Sequence, residues 1–154
     1  MYFFLIPRIK FRFKEILFLI ISLLLLQSCR ESENSISCFP NSTIQVTIAL
    51  NHPSYQRLQN MGGWVYISEQ QSGTNGLIVV KTSQGFRVYD RNPPHICPST
   101  QSTLIVQDNS KLVCPEDGAQ WNLFTAEPIS GTSVFPKIYR YQYNADNETL
   151  TLFN

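Results

Sequence analysis

His95, Cys97, Cys114 and Asp117 supply the donor types that a zinc-like ion accepts: an imidazole, two thiolates and a carboxylate. His95 and Cys97 form an H-x-C pair, Cys114 opens a C-x-x-D segment, and sixteen residues separate the two cysteines. This is not the spacing of a zinc ribbon. Four ligands of one small metal site are therefore one reading, and an ordinary loop histidine beside structural thiols is the plainer one. His52, at a strand end beside Pro53, has no partner pattern at all. The chain has no G-x-S-x-G, no H-E-x-x-H and no phosphate loop. Glu116-Asp117 has the look of a solvated turn and not of an acid/base dyad, so no catalytic residue is expected.

Strands must position these side chains. In STIQVTIAL, residues 42–50, Ile44, Val46, Ile48 and Leu50 alternate with Thr43, Gln45, Thr47 and Ala49, the period of a half-buried strand. PSYQRLQNM, residues 53–61, spaces Tyr55, Leu58 and Met61 for about two helical turns, and Gly62-Gly63 stops it. The runs WVYIS, GLIVVK, FRVYD, TLIVQ, KLVC, WNLF, KIYRYQY and TLTLF follow, punctuated by SGTNG, SQG, QDNSK and NADNE. Short strands at this spacing, without a long amphipathic helix, predict an all-β fold, an antiparallel sandwich or small barrel. Tyr139, Tyr141 and Tyr143 alternate on one face. With only Lys137 and Arg140 interleaved, the row reads as cover for the rim of a core, and no nucleic-acid partner is expected.

The start of the chain sets the compartment. Arg8, Lys10, Arg12 and Lys14 precede ILFLIISLLLL at residues 16–26, a basic region followed by a short apolar one, as in a secretory signal. An uncleaved anchor helix would have to take those cations into hydrocarbon at about 2.5 to 3.5 kcal/mol each. Leu26-Gln27-Ser28-Cys29 resembles the bacterial lipobox, which implies cleavage after residue 28 and lipid on Cys29. A chance cysteine after a plain signal is the competing reading. The polar residues behind it read as a tether, although Glu31 and Glu33 resemble the surface-export signals of some Bacteroidetes lipoproteins. The expected organisation is a signal peptide at 1–28, a lipidated cysteine and tether at 29–41, and one β domain at 42–154. Of twelve Lys/Arg the first 28 residues hold four, and of eleven Asp/Glu they hold one. Eight against ten remain, a net of about −2, which does not favour nucleic acid.

The order of elements around the candidate ligands resembles the Rieske iron-sulfur domain. A loop with His95 and Cys97, a hairpin, a loop with Cys114-Pro115, then Gly118, the aromatic run 121–124, Ser130-Gly131 and the segment 136–143 match that family's layout over residues 62–154. The resemblance implies a Rieske-like antiparallel β sandwich or small barrel with a two-loop tip. In the family, C-x-H and C-x-x-H loops hold a [2Fe–2S] cluster by two thiolates and two imidazoles. Here His95 and Cys114 stand in place, but Pro93 stands at the first-loop cysteine and Asp117 at the second-loop histidine. The implied site is degenerate, with no cofactor or metal expected. The alternative is an altered [2Fe–2S] or iron site that recruits Cys97, or an ion on His95, Cys97, Cys114 and Asp117.

Many members of the family also join the two loops by a disulfide. Glu116 occupies one of those positions here, but Cys97 and Cys114 would lie at the same loop tips, and the resemblance implies a Cys97–Cys114 bridge worth about 3 kcal/mol by loop closure. Cys38 is then left unpaired. The expected protein is a non-enzymatic lipoprotein of the cell envelope, anchored at the outer membrane on either face and binding an unidentified protein partner. An electron-transfer protein is the alternative. A subunit role like that in ring-hydroxylating systems rests on fold analogy only.

Overall fold

A computed structural model describes residues 36–154; the expected signal segment at 1–28, Cys29 and the acidic residues Glu31 and Glu33 lie outside the described residues. Ten strands follow in order: β1 (Gln45–Ala49), β2 (Trp64–Ile67), β3 (Leu77–Thr82), β4 (Gly85–Asp90), β5 (Ile105–Gln107), β6 (Lys111–Val113), β7 (Gln120–Asn122), β8 (Pro128–Ser130), β9 (Ile138–Asn144) and β10 (Thr149–Phe153). The fold is all-β, as expected. Curled antiparallel sheets form a half-barrel, where the sequence suggests a sandwich or small barrel. The predicted helical turns at 53–61 are a 3-10 helix, Pro53–Gln59, capped by His52, whose ring nitrogen Nδ1 accepts from the Ser54 N–H. Among the described residues no helix is long and apolar enough to cross a membrane.

Six strands form the larger sheet, in the order β1-β10-β9-β4-β3-β2. β4 meets β9 through only two residue pairs, Val88 with Tyr139 and Tyr89 with Ile138, and this short seam lets the sheet curl. Its far edges approach each other where Ile44 bridges Ser72 and the Gln45 N–H donates to the Gln71 carbonyl. The concave side encloses one core, to which β1 contributes Val46 and Ile48 together with the flanking Ile44 and Leu50, all buried as the alternation predicts. Four short strands, β5-β6-β7-β8, form the second sheet. It covers the opposite face of β3 and β4, so that Ile78, Val80 and Tyr89 share a second core with Leu112, Trp121 and Leu123.

β3 is therefore covered on both faces, and Leu77, Ile78, Val79 and Val80 are all sealed from solvent. This is why GLIVVK reads as a continuous apolar run while β1 alternates. The tyrosines of β9 behave as rim cover: Tyr139 is buried, Tyr141 sits edge-on to Phe86, and Tyr143 is nearly half exposed.

A polar network centred on Asp90 is buried at the edge of the barrel core. Asp90 is buried at the end of β4, on the face of Phe86 and Val88. Its Oδ2 accepts from the Tyr139 hydroxyl at 2.7 Å, and its Oδ1 accepts from the Asn92 backbone N–H at 2.7 Å and from Asn92 Nδ2 at 2.8 Å. Asn92 Nδ2 also reaches Thr74 Oγ1, and Asn75 donates to Asn92 Oδ1. Burial raises the Asp90 carboxyl above the ordinary carboxylate range, while the Asn92 and Tyr139 hydrogen bonds pull the other way. Asp90→Ala strips Asn92 of its acceptor and is expected to cost about 2 to 4 kcal/mol, against about 1 to 2 for Tyr139→Phe, measured as shifts of the urea midpoint at constant slope.

Candidate functional site

Antiparallel pairing decides where the two loops meet. Ile105, the first residue of β5, pairs with Val113, the last of β6. The loop before β5 and the loop after β6 therefore leave the small sheet at the same end. The first, residues 91–104, is closed at its neck by Leu104 N–H donating to the Arg91 carbonyl and Arg91 Nε donating to the Leu104 carbonyl. The Asp90–Asn92 network anchors its entry, and Pro93-Pro94 fix φ just before His95. The second loop, 114–119, is a tight turn in which Cys114 N–H donates to the Ala119 carbonyl and Gly118 N–H to the Cys114 carbonyl. Gly118 has φ +75°, a conformation that costs a side-chain-bearing residue about 1 to 2 kcal/mol. Behind this loop the turn after β8 passes so close that a Cβ on Gly131 would lie 2.7 Å from the Ala119 Cα.

Three of the four sequence candidates come together here. His95, Cys114 and Asp117 each offer a ligand atom, and these atoms all lie within 4.8 Å of one another. His95 Nε2 is 2.5 Å from Asp117 Oδ2, and its ring stacks edge-on against Trp121 at 5.4 Å between centroids. The His95 side chain is 10 % exposed and that of Asp117 33 %. Desolvation pushes the Asp117 carboxyl up, yet the Ala119 N–H, His95 and the Cys114 thiol outweigh it and hold the carboxyl below its usual range. An ionised Asp117 requires His95 Nε2 to be the donor. His95 Nδ1 is then buried without a hydrogen-bond partner among the described residues.

Cys114 is sealed in the second core, where its Sγ lies 3.7 Å from the Ser102 carbonyl. Burial, followed by the neighbouring Asp117, raises its thiol above the ordinary value. A protonated, inaccessible thiol is a poor nucleophile, and Asp117, the common partner of His95 and Cys114, takes the place that a base would need. The trio does not form a cysteine-histidine-carboxylate catalytic relay. Nor does the open groove of about 820 Å³ beside Lys81, Phe86, Arg140 and Tyr141 share any residue with it.

The expected Cys97–Cys114 bridge is overturned. Cys97 is bonded to Cys38, with 5.6 Å between their Cα atoms, and Cys114 is a free thiol. The reason is burial: Cys114 points into the core under the small sheet, whereas Cys97 sits exposed on the first loop, within reach of the chain leading to β1. Cys38 is thus not unpaired, and Cys97 is not available as a fourth ligand. His52 stays at its helix cap, away from this group.

The remaining ties between the loops were not legible as site residues. Ser99 Oγ donates to Glu116 Oε2 at 2.5 Å, and Ser99 and Ser102 hold each other across three residues. Glu116 and Asp117, which read as a solvated pair, each grip the other loop. No protein-family model matches the chain, and no curated protein matches it.

Two outcomes follow from this geometry. Peptide mapping without reductant should recover a linked Cys38–Cys97 fragment, and Cys38→Ala, opening a 59-residue separation, should cost up to about 4 kcal/mol in unfolding free energy. Asp117 is held below its unfolded pKa of about 4, so the stability it contributes is complete above that pH and is lost as pH falls through the folded value. Asp117→Asn should therefore be less stable than wild type by about 1 kcal/mol at pH 7, with the gap closing below about pH 4 in a pH series of urea unfolding curves.

Proposed function

We propose that this protein is a lipoprotein of the cell envelope, anchored through Cys29 at the outer membrane, whose β domain is a Rieske-like fold that has lost its [2Fe–2S] cluster and serves in binding or assembly. The observation that carries this reading is the state of the thiols at the two converging loops. A cluster of this kind needs two thiolates and two further ligands. The loops offer one thiol in Cys114, one imidazole in His95 and one carboxylate in Asp117, while Cys97 is held by Cys38 and Pro93 has no donor. These residues do not fit the cluster. What favours a Rieske-like origin over an unrelated loop pair is that His95 and Cys114, the two positions that match the family pattern, meet at the shared end of a small antiparallel sheet.

The burial of Cys114, the free thiol among the described residues, supports a binding role over a nucleophilic one. The lipobox-like Leu26–Cys29 segment and its basic, then apolar, leader support the anchor. The test is anaerobic production of the full chain with iron and sulfide supplied, followed by detergent extraction, iron and acid-labile sulfide analysis, and mass spectrometry of the N-terminal peptide. A colourless protein with neither iron nor sulfide, beginning at a lipid-modified Cys29, is expected. Two irons with two sulfides per chain would overturn the loss of the cluster, and an intact residue 1–28 segment would overturn the anchor.

A further inference from the structure

We propose that His95, Cys114 and Asp117 hold a single divalent cation of borderline softness, of the Zn²⁺ class. This site does not rest on the Rieske-like reading, since its three donors stand on their own geometry.

The donor set comes first. One nitrogen, one sulfur and one carboxylate oxygen suit Zn²⁺ or Co²⁺ and exclude Ca²⁺ and Mg²⁺, which take oxygen ligands. Three protein donors leave a fourth position for water or a ligand, the pattern of an open site. Geometry comes second. Bonds of about 2.0 to 2.3 Å to a tetrahedral ion set its ligand atoms about 3.3 to 3.8 Å apart. The three atoms here lie within 4.8 Å, with His95 Nε2 and Asp117 Oδ2 hydrogen-bonded at 2.5 Å. Placing an ion between them asks for side-chain shifts on the order of 1 Å, without rebuilding either loop, and moves the imidazole proton to Nδ1.

The rest of the pocket points the same way. His95 is nine-tenths buried and its Nδ1 has no partner among the described residues, so coordination through Nε2 displaces only the Asp117 hydrogen bond. Both loops are fixed before any ion arrives, the first by Asp90, Asn92 and its closed neck, the second by its own turn and by Ser99 on Glu116. Asp117, the most exposed of the three, marks the side from which an ion enters. Uptake replaces the thiol proton of Cys114, so one proton leaves to solvent for each ion bound while the imidazole keeps its single proton on the nitrogen that does not coordinate.

Titration of the metal-free full chain in detergent with Co²⁺ tests this. The expected result is one Co²⁺ per chain with a thiolate-to-cobalt absorption in the near ultraviolet and visible bands of a four-coordinate ion, all displaced by one equivalent of Zn²⁺. Cys114→Ser should abolish the thiolate absorption, and His95→Gln should weaken binding at least tenfold while its far-ultraviolet circular dichroism remains that of wild type. In case a variant fails to fold, the wild-type chain gives its own readout: Zn²⁺ should raise its thermal unfolding midpoint, and Ca²⁺ at the same concentration should not. Absence of a thiolate absorption in the wild type, its persistence in Cys114→Ser, or an unchanged midpoint with saturating Zn²⁺ would each overturn the site. None of these results would alter the cluster count on which the functional reading above is tested.

Discussion

The β3–β4 hairpin is shared by two hydrophobic cores, and everything else in the domain is arranged around its double burial. Leu77 and Val79 face the concave side of the half-barrel, and Ile78, Val80 and Tyr89 face the small sheet. Each side chain of this size contributes about 1.5 to 3 kcal/mol on leaving water, so neither face of the hairpin can be left uncovered. The large sheet satisfies one face by curling. The small sheet satisfies the other, and its docking is made directional by Tyr89 donating to the Leu123 carbonyl, Trp64 Nε1 donating to Asn109 Oδ1, and the Val106 N–H donating to the Tyr66 hydroxyl.

That docking puts the candidate site at the edge of the second core. Trp121 fills the core with its indole, donates through Nε1 to the Val134 carbonyl at 2.7 Å, and packs against the His95 ring in an edge-type contact. Cys114 faces inward from the next strand end, and Asp117 faces outward above it. The polar groups of the tip therefore stand on an apolar floor, where hydrogen bonds are stronger than in water and an unpaired one is expensive. Asp90 performs the same service one layer further in, tying the entry of the first loop to β9 through Tyr139. The Cys38–Cys97 bond adds a covalent tie from the chain before β1 to the outside of that loop.

Much of the scaffold could be read along the chain. The alternation of Ile44, Val46, Ile48 and Leu50 and the turn residues at SGTNG, SQG, QDNSK and NADNE mark strands and connections that the structure contains, because a pleat of period two and a positive φ leave local signatures. Asp108 and Asn109 both adopt positive φ in the β5–β6 turn, as such residues tolerate. β8 escaped notice, since Pro128-Ile129-Ser130 is too short to show a period and pairs only with β7. Helical spacing of Tyr55, Leu58 and Met61 overstated a segment in which Leu58 alone is buried.

By itself, the sequence determined that residues 42–154 are all-β and singled out His95, Cys97, Cys114 and Asp117 as the donor-type residues whose meeting had to be accounted for, because residue type and short-range period need no partner to be expressed. Only the tertiary structure decided which cysteines meet and which acids face the other loop. Cys97 could be paired with Cys114 on paper, where each lies at a loop tip. In three dimensions the second core takes Cys114 inward and leaves Cys97 outside beside Cys38. A disulfide forms between side chains that share a few ångströms and a direction, and neither property is written in their distance along the chain.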